Sequence, residues 1–177
     1  MAGPQMRIDA DDFSLFGLPR SFALDEVALA QRWRDLQAQV HPDRFASEGG
    51  AAQRLAMQWA VRVNQAYQRL KDPLQRGALL CELAGVDIAA ESNTSMPTDF
   101  LLQQMAWREA LAESPNDTEL AALEVQVRAA EADQLAQLSV LLDMQAAPVE
   151  AAERVRALMF IQRFRADLRE RLDALQD

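Results

Sequence analysis

Apolar residues recur every three or four positions through most of this chain, and that spacing is what most limits its fold. Such stripes, which are typical of amphipathic helices, cover residues 29–40, 55–70, 120–142 and 155–175. Strand-forming residues are scarce, since the sequence holds 32 Ala and 24 Leu but only 3 Ile and 3 Thr. We therefore predict an all-α fold.

Capping residues and prolines set the ends of the predicted helices. Asp25 is placed to cap the first long helix, which must end at His41 because Pro42 disfavours helical geometry in the residue before it. A second helix begins near Ala51 and ends at Asp72, again because a proline follows. Further helices are expected over residues 74–83, 98–114 and 116–142, and from residue 148 onward.

A polar stretch without periodicity, residues 86–97, divides the chain. We interpret it as a linker between an N-terminal domain of residues 1–85 and a C-terminal domain of residues 98–177. The C-terminal domain begins with a helix capped by Thr98 or Asp99. It contains three helices joined by short loops, and this predicts an antiparallel three-helix bundle or a two-helix coil with a shorter third helix.

The overall charge and the scarcity of metal ligands exclude several kinds of function. With 18 Lys and Arg against 27 Asp and Glu, the net charge of -9 disfavours general binding to nucleic acid or anionic membranes. One cysteine, Cys81, and one histidine, His41, cannot form a disulfide or a four-ligand zinc site. No apolar run approaches the roughly 18 residues of a membrane span. We expect a soluble, cytoplasmic protein with no cofactor, no metal and no enzymatic activity.

The cations are concentrated around the single histidine. Residues 31–76 contain eight Lys and Arg against four Asp and Glu, a net charge of +4, so the rest of the chain carries -13. Arg32, Arg34 and Arg44 lie nearest to His41 in the sequence. A basic region on an acidic protein suits an acidic partner surface, because complementary charge steers the encounter and fixes orientation.

A set of short motifs surrounds this histidine. In chain order they are His41-Pro42-Asp43, Arg44-Phe45, Asn64-Gln65-Ala66-Tyr67 and Leu70-Lys71-Asp72-Pro73. With the two flanking helices they resemble the J-domain of Hsp70 co-chaperones. The resemblance implies that the loop docks on an ATP-bound Hsp70 and accelerates its ATP hydrolysis. The resemblance assigns this contact to His41, Pro42 and Asp43, and the concentration of charge adds Arg32, Arg34 and Arg44 to the predicted Hsp70-binding residues.

The C-terminal half extends the resemblance. A helical domain whose first helix contains Phe100-Leu101-Leu102 stands where many J-proteins carry Gly/Phe-rich and zinc-binding segments. Over essentially its whole length the chain is similar to the HscB family, J-type co-chaperones of iron–sulfur cluster assembly. In that family an apolar patch binds an IscU-type scaffold protein, which is delivered to a dedicated HscA-type Hsp70. The matching positions here are Leu101, Leu102, Met105 and Phe160, bordered by Arg108 and Glu109.

The helix from residue 98 has two apolar faces, and the sequence leaves their roles open. At about 100° per residue, Leu101, Leu102 and Met105 share one side, whereas Phe100 and Trp107 share another. One face packs in the bundle, and the other is either a binding patch or a second buried surface. On the last helix, Phe160 also lies off the main apolar stripe, and we expect it to be exposed with the patch.

Two simpler interpretations stand beside the co-chaperone hypothesis. A histidine before a proline is commonly an ordinary turn residue, and arginines on amphipathic helices are usually only solvated. The chain would then be a J-like helical module with a structural role, whose C-terminal domain associates with a second copy through the same apolar face.

Overall fold

The computed structural model describes residues 7–89, 92–113 and 115–175 of the chain. Within these residues all regular secondary structure is helical, which confirms the predicted fold class. Seven α-helices follow one another: α1 Asp12–Leu15, α2 Glu26–Val40, α3 Gly50–Lys71, α4 Pro73–Leu83, α5 Thr98–Ala112, α6 Asp117–Ser139 and α7 Pro148–Ala174. A 3₁₀ turn, Pro42–Phe45, follows α2, and a π-helical turn, Val140–Met144, follows α6. None of the described helices is both long and apolar enough to cross a membrane.

The ends of the first two long helices lie where the sequence predicts them. The Asp25 carboxylate accepts a hydrogen bond of 3.0 Å from the backbone N–H of Ala28, as a helix cap should. Helix α2 ends at Val40, directly before His41, and α3 ends at Lys71 before Asp72. Local sequence signals therefore determine these boundaries.

Other helix ends differ from the predictions. Pro97 occupies the cap position of α5 without any side-chain hydrogen bond, so the predicted cap at Thr98 or Asp99 is wrong because both residues already lie in the first turn. Helix α5 ends at Ala112, and the predicted end at residue 114 lies outside the described residues. The expected single helix over 116–142 is α-helical only to Ser139, and its last residues belong to the π-helical turn, which continues to Met144.

The chain divides into two compact units, Met1–Arg76 and Gly77–Asp177. The division falls inside α4, earlier than the predicted boundary after residue 85. Gly77 already packs within the second unit. A Cβ atom added at Gly77 would lie only 2.7 Å from a methyl group of Leu138, which leaves no room for a side chain unless Leu138 moves. Ile88, in the predicted linker, is buried as well. The functional domain bounds of 1–85, 86–97 and 98–177 stay a prediction.

In the first unit, α1 and α2 pack against α3. Phe13, Leu29 and Val63 are fully buried there. The buried Asp12 carboxylate accepts hydrogen bonds of 2.6 and 2.7 Å from Arg69 of α3. It also lies 2.8 Å from the Arg62 guanidinium. A buried charge needs such pairing, so these cations keep α1 fixed on α3.

In the second unit, α6 and α7 are the principal packing pair. Their buried apolar side chains include Leu120, Val127 and Leu138 from α6, and Val155, Ile161 and Leu168 from α7. Helix α5 completes the three-helix arrangement through an aromatic cluster described below.

Candidate functional site

The His41-Pro42-Asp43 loop is an ordered, exposed turn in the first unit. Pro42 starts the 3₁₀ turn, and the backbone N–H of Asp43 donates a 3.3 Å hydrogen bond to Nδ1 of His41. In the neutral ring the other nitrogen, Nε2, then carries the proton. The His41 and Asp43 side chains are 56% and 92% exposed. The loop therefore presents one N–H donor and one carboxylate to solvent.

The three predicted contact arginines are all exposed, Arg32 and Arg34 on α2 before the loop and Arg44 directly after Asp43. Arg44 donates a 3.1 Å hydrogen bond to the carbonyl oxygen of Ala38 in the last turn of α2. Arg34 donates to Gln31 on the surface of α2. Arg32 is also structural, because it donates to the carbonyl oxygen of Phe16 at 2.9 Å.

In the motif that begins at residue 64, Asn64 and Tyr67 both contact α2. The Asn64 side-chain oxygen accepts hydrogen bonds from Trp33, at 3.0 Å, and from Gln37. The Tyr67 ring stacks on Trp33 with 4.5 Å between ring centroids. Ala66 is fully buried. These contacts tie α3 to α2, the helix that leads into the loop, and therefore hold the loop in place.

The structure decides which apolar face of α5 packs. Phe100 and Trp107 are buried, whereas Leu102 is 67% and Met105 is 64% exposed. Leu101 is partly exposed, and Arg108 and Glu109 are exposed beside this face. We call Leu101, Leu102 and Met105 the α5 patch. Unpartnered apolar side chains on one helix face commonly mark an interaction site.

Phe160 does not belong to this exposed surface, so the expectation of an exposed ring is wrong. It is only 6% exposed, and its ring lies 5.8 Å from those of both Phe100 and Phe164. The Arg108 guanidinium lies 5.0 Å from the centre of the Phe160 ring. Phe160 is therefore part of the core that seats α5 on α7.

The described residues contain no group of three or more His, Cys, Asp or Glu side chains placed to bind a metal ion. Cys81 is fully buried, and this burial raises the pKa of its thiol to about 11. A buried, protonated thiol is a poor nucleophile at neutral pH.

Curated relatives match nearly the whole chain. The HscB co-chaperone homologue of Bordetella pertussis is 47% identical over 159 residues, covering 89% of this chain and 94% of the relative. The homologue of Burkholderia vietnamiensis is 48% identical over 167 residues, covering 93% and 95%. The chain belongs to the HscB co-chaperone family.

Solved structures of HscB proteins agree with this assignment. Human HscB superposes with a TM-score of 0.83 at 28% identity, covering 96% of this chain and 84% of the human protein. HscB of Vibrio cholerae gives a TM-score of 0.83 at 37% identity, covering 93% and 99%. The family model described as the HSCB C-terminal oligomerisation domain matches residues 96–169. The resemblance seen in the sequence is therefore confirmed.

One residue of this HscB-family chain that sequence reasoning missed is Arg156. Its guanidinium is buried in α7 and donates hydrogen bonds to the carbonyl oxygens of Ile88, at 2.9 Å, and Ser95, at 3.1 Å. It also lies 3.4 Å from the carbonyl oxygen of Asp87. The segment that leads into α5 is thereby attached to α7. An arginine within an apolar stripe is the only sequence signal of this arrangement.

Proposed function

We propose that the protein is a J-type co-chaperone of iron–sulfur cluster assembly, cytoplasmic and without enzymatic activity of its own. It binds an IscU-type scaffold protein through the α5 patch and delivers it to an HscA-type Hsp70. The loop at His41 then stimulates ATP hydrolysis by the Hsp70. The observation that carries the proposal is that a member of the HscB family exposes both an ordered His-Pro-Asp loop and an apolar helix face.

The charge around the loop supports its assignment to the Hsp70. Arg34 and Arg44 are exposed and lie on either side of His41 in the sequence. None of the salt bridges between described residues involves either arginine. Their hydrogen bonds go to the neutral oxygens of Gln31 and Ala38, so both guanidinium groups keep a charge that can attract carboxylates of a partner, and such contacts set the rate and orientation of docking.

The exposed side chains of α5 support its assignment to the scaffold. Leu102 and Met105 lie three residues apart, so they are neighbours on the helix surface. Arg108 and Glu109 provide charged groups at the edge of the patch. An apolar centre with a polar rim is the usual composition of a protein–protein interface.

The loop is tested by Asp43→Asn in a single-turnover Hsp70 ATPase assay. We expect stimulation to fall roughly tenfold or more, because removing one partner of a charged interface contact costs about 2–5 kcal/mol. Asp133→Asn, an equivalent change on the exposed surface of α6, is the matched control and should stimulate normally. Full stimulation by the Asp43→Asn protein would contradict the assignment.

The α5 patch is tested by Leu102→Ala combined with Met105→Ala, using calorimetric titration with an IscU-type scaffold protein. We expect affinity to fall at least tenfold, since truncated interface anchors cost about 1–2 kcal/mol each. Val125→Ala is the control, because Val125 is equally exposed, at 68%, but lies on α6. Unchanged affinity in the double variant would refute the proposed site.

A second candidate function is self-association through the same patch. The description of the matched family model as an oligomerisation domain favours it. Size-exclusion chromatography with and without scaffold protein separates the two functions. A dimer of the chain alone that is lost in the Leu102→Ala, Met105→Ala variant would support self-association, whereas a monomer that forms a complex only with the scaffold supports client binding.

A further inference from the structure

A groove of about 480 Å³ runs between α5 and α7 within the second unit. Its α5 wall is formed by Arg108, Leu111 and Ala112. Its α7 wall is formed by Phe160, Arg163, Phe164, Asp167 and Arg171. Neither Leu102 nor Met105 lines it, so the groove is a surface separate from the exposed pair of the α5 patch. Arg108 borders both surfaces.

The groove is basic although the chain is acidic. Three arginines and one aspartate line it, a net charge of +2 on a protein of net charge -9. Arg163 and Arg171 are exposed, and no ion pair among the described residues involves either of them or Asp167. They lie eight positions apart, which places their Cα atoms about 12 Å apart along the helix axis. The groove therefore offers two unneutralised cations at a fixed separation.

The floor of the groove is apolar. Phe160 and Phe164 are buried there, and Leu111 is partly exposed beside them. Arg108 lies over the Phe160 ring, and Phe164 is stacked on Trp107 and Phe160, so these rings are already occupied and do not serve as a platform for a nucleobase. The overall charge of the chain also repels nucleic acid. A peptide segment with carboxylates at its ends and an apolar side chain between them fits both the cations and the floor. Two carboxylates four residues apart in an extended segment are about 13 Å apart.

We propose that this groove binds an acidic segment of the client protein, with carboxylates at Arg163 and Arg171 and an apolar side chain against Leu111. The inference rests on the proposed function, since the client is the protein that contacts the α5 patch. The two surfaces then act together, because Arg108 stands at their shared border. Asp167, which lies between the two cations, disfavours a third carboxylate in the middle of the segment.

The groove is first tested without the client. The probe is the peptide Glu-Ala-Leu-Ala-Glu, blocked at both ends, followed by amide chemical shifts of α5 and α7 in the full chain. We expect it to shift groove residues and to bind about fivefold more weakly to Arg163→Gln combined with Arg171→Gln. Asp167→Asn should strengthen binding, because Asp167 is the only carboxylate among the described residues that line the groove.

Matched controls make this test decisive. Arg128→Gln combined with Arg169→Gln removes the same charge from exposed positions outside the groove, so peptide binding should not change. The counterpart Lys-Ala-Leu-Ala-Lys and a short single-stranded DNA should leave the groove resonances unmoved. Absence of binding by the acidic peptide, an equal loss in the control variant, or equal binding by the DNA would each overturn the proposal.

The second arm uses an IscU-type scaffold protein in calorimetric titrations at low and high salt. We expect the Arg163→Gln, Arg171→Gln variant to bind the scaffold more weakly and with less salt dependence than the unmodified chain. If only the Leu102→Ala, Met105→Ala variant loses affinity, the groove proposal is overturned and the proposed function stands. If the acidic peptide binds but the scaffold does not, the proposed function fails and the preference of the groove for acidic segments stands.

Discussion

The buried position of Phe160 leads to a quantitative prediction for the second unit. Phe160→Ala removes a ring that is 6% exposed and lies 5.8 Å from two other rings. Core Phe→Ala changes cost about 3–5 kcal/mol. Because two aromatic pairs are lost as well, we expect the upper part of that range, about 4–5 kcal/mol. In a unit of about 100 residues, 1 kcal/mol corresponds to about 4 °C, so the Tm of this unit should fall by about 16–20 °C.

Differential scanning calorimetry of the full chain is the appropriate measurement, because two units need not unfold in one transition. Met105→Ala is the comparison, since Met105 is 64% exposed on α5 and its truncation should change stability by no more than about 0.5 kcal/mol. If Phe160→Ala were no more destabilising than Met105→Ala, the assignment of Phe160 to the core would be refuted. If the expected loss is found, Phe160→Ala displaces α5, so this variant cannot be used to locate the proposed client contact, and the exposed positions Leu102 and Met105 serve that purpose.

Three further predictions concern other buried or partnered groups. Asp12→Asn should lower the free energy of unfolding of the first unit by about 3 kcal/mol in urea, because the neutral amide no longer balances the charges of Arg62 and Arg69. A change below about 1 kcal/mol would contradict this role of the carboxylate. Asn64→Ala should lower the free energy of unfolding by about 1 kcal/mol, since Trp33 loses its hydrogen-bond acceptor. The fold should be retained, but stimulation of the Hsp70 ATPase should decrease. Undiminished stimulation would show that the loop does not depend on this bond. Burial raises the pKa of Cys81 to about 11 from 9.0, so stability should be lost as pH rises from about 9 to 11, by up to about 2–3 kcal/mol. Cys81→Ala should show a smaller loss over the same range, and parallel curves for the two proteins would refute the shift.

The helices could be predicted because their ends depend on neighbouring residues. Asp25 caps α2 through a residue three positions away, and Pro42 stops α2 by a clash with its own neighbour. The motifs around His41 could be assigned for the same reason. Contacts between residues far apart in the sequence have no local signal of this kind, so the sequence does not predict the pairing of Asp12 with Arg69.

The orientation of α5 could not be predicted from its own sequence. Both of its faces are apolar, and only the rings that α7 presents decide between them. Phe160 packs against Phe100, and Phe164 packs against Trp107. The other face of α5, which carries Leu102, is therefore exposed. The sequence predicts an exposed Phe160, and this is wrong because the buried surface of α7 extends beyond its main apolar stripe. Helix α7 packs against both α5 and α6, and its Arg156 also binds the segment around Ile88 that precedes α5.

The hydrogen bonds of Arg156 also have a consequence for the order of synthesis. This guanidinium is separated by 68 residues from Ile88 and by 61 from Ser95, the acceptors that precede α5. The chain between them must be made and α7 must form before the start of α5 is held in place, and closing so long a loop carries an entropic cost. On the ribosome, the α5 patch is therefore assembled only when the last helix has emerged. The proposed client-binding surface is thus complete only in chains that already include α7.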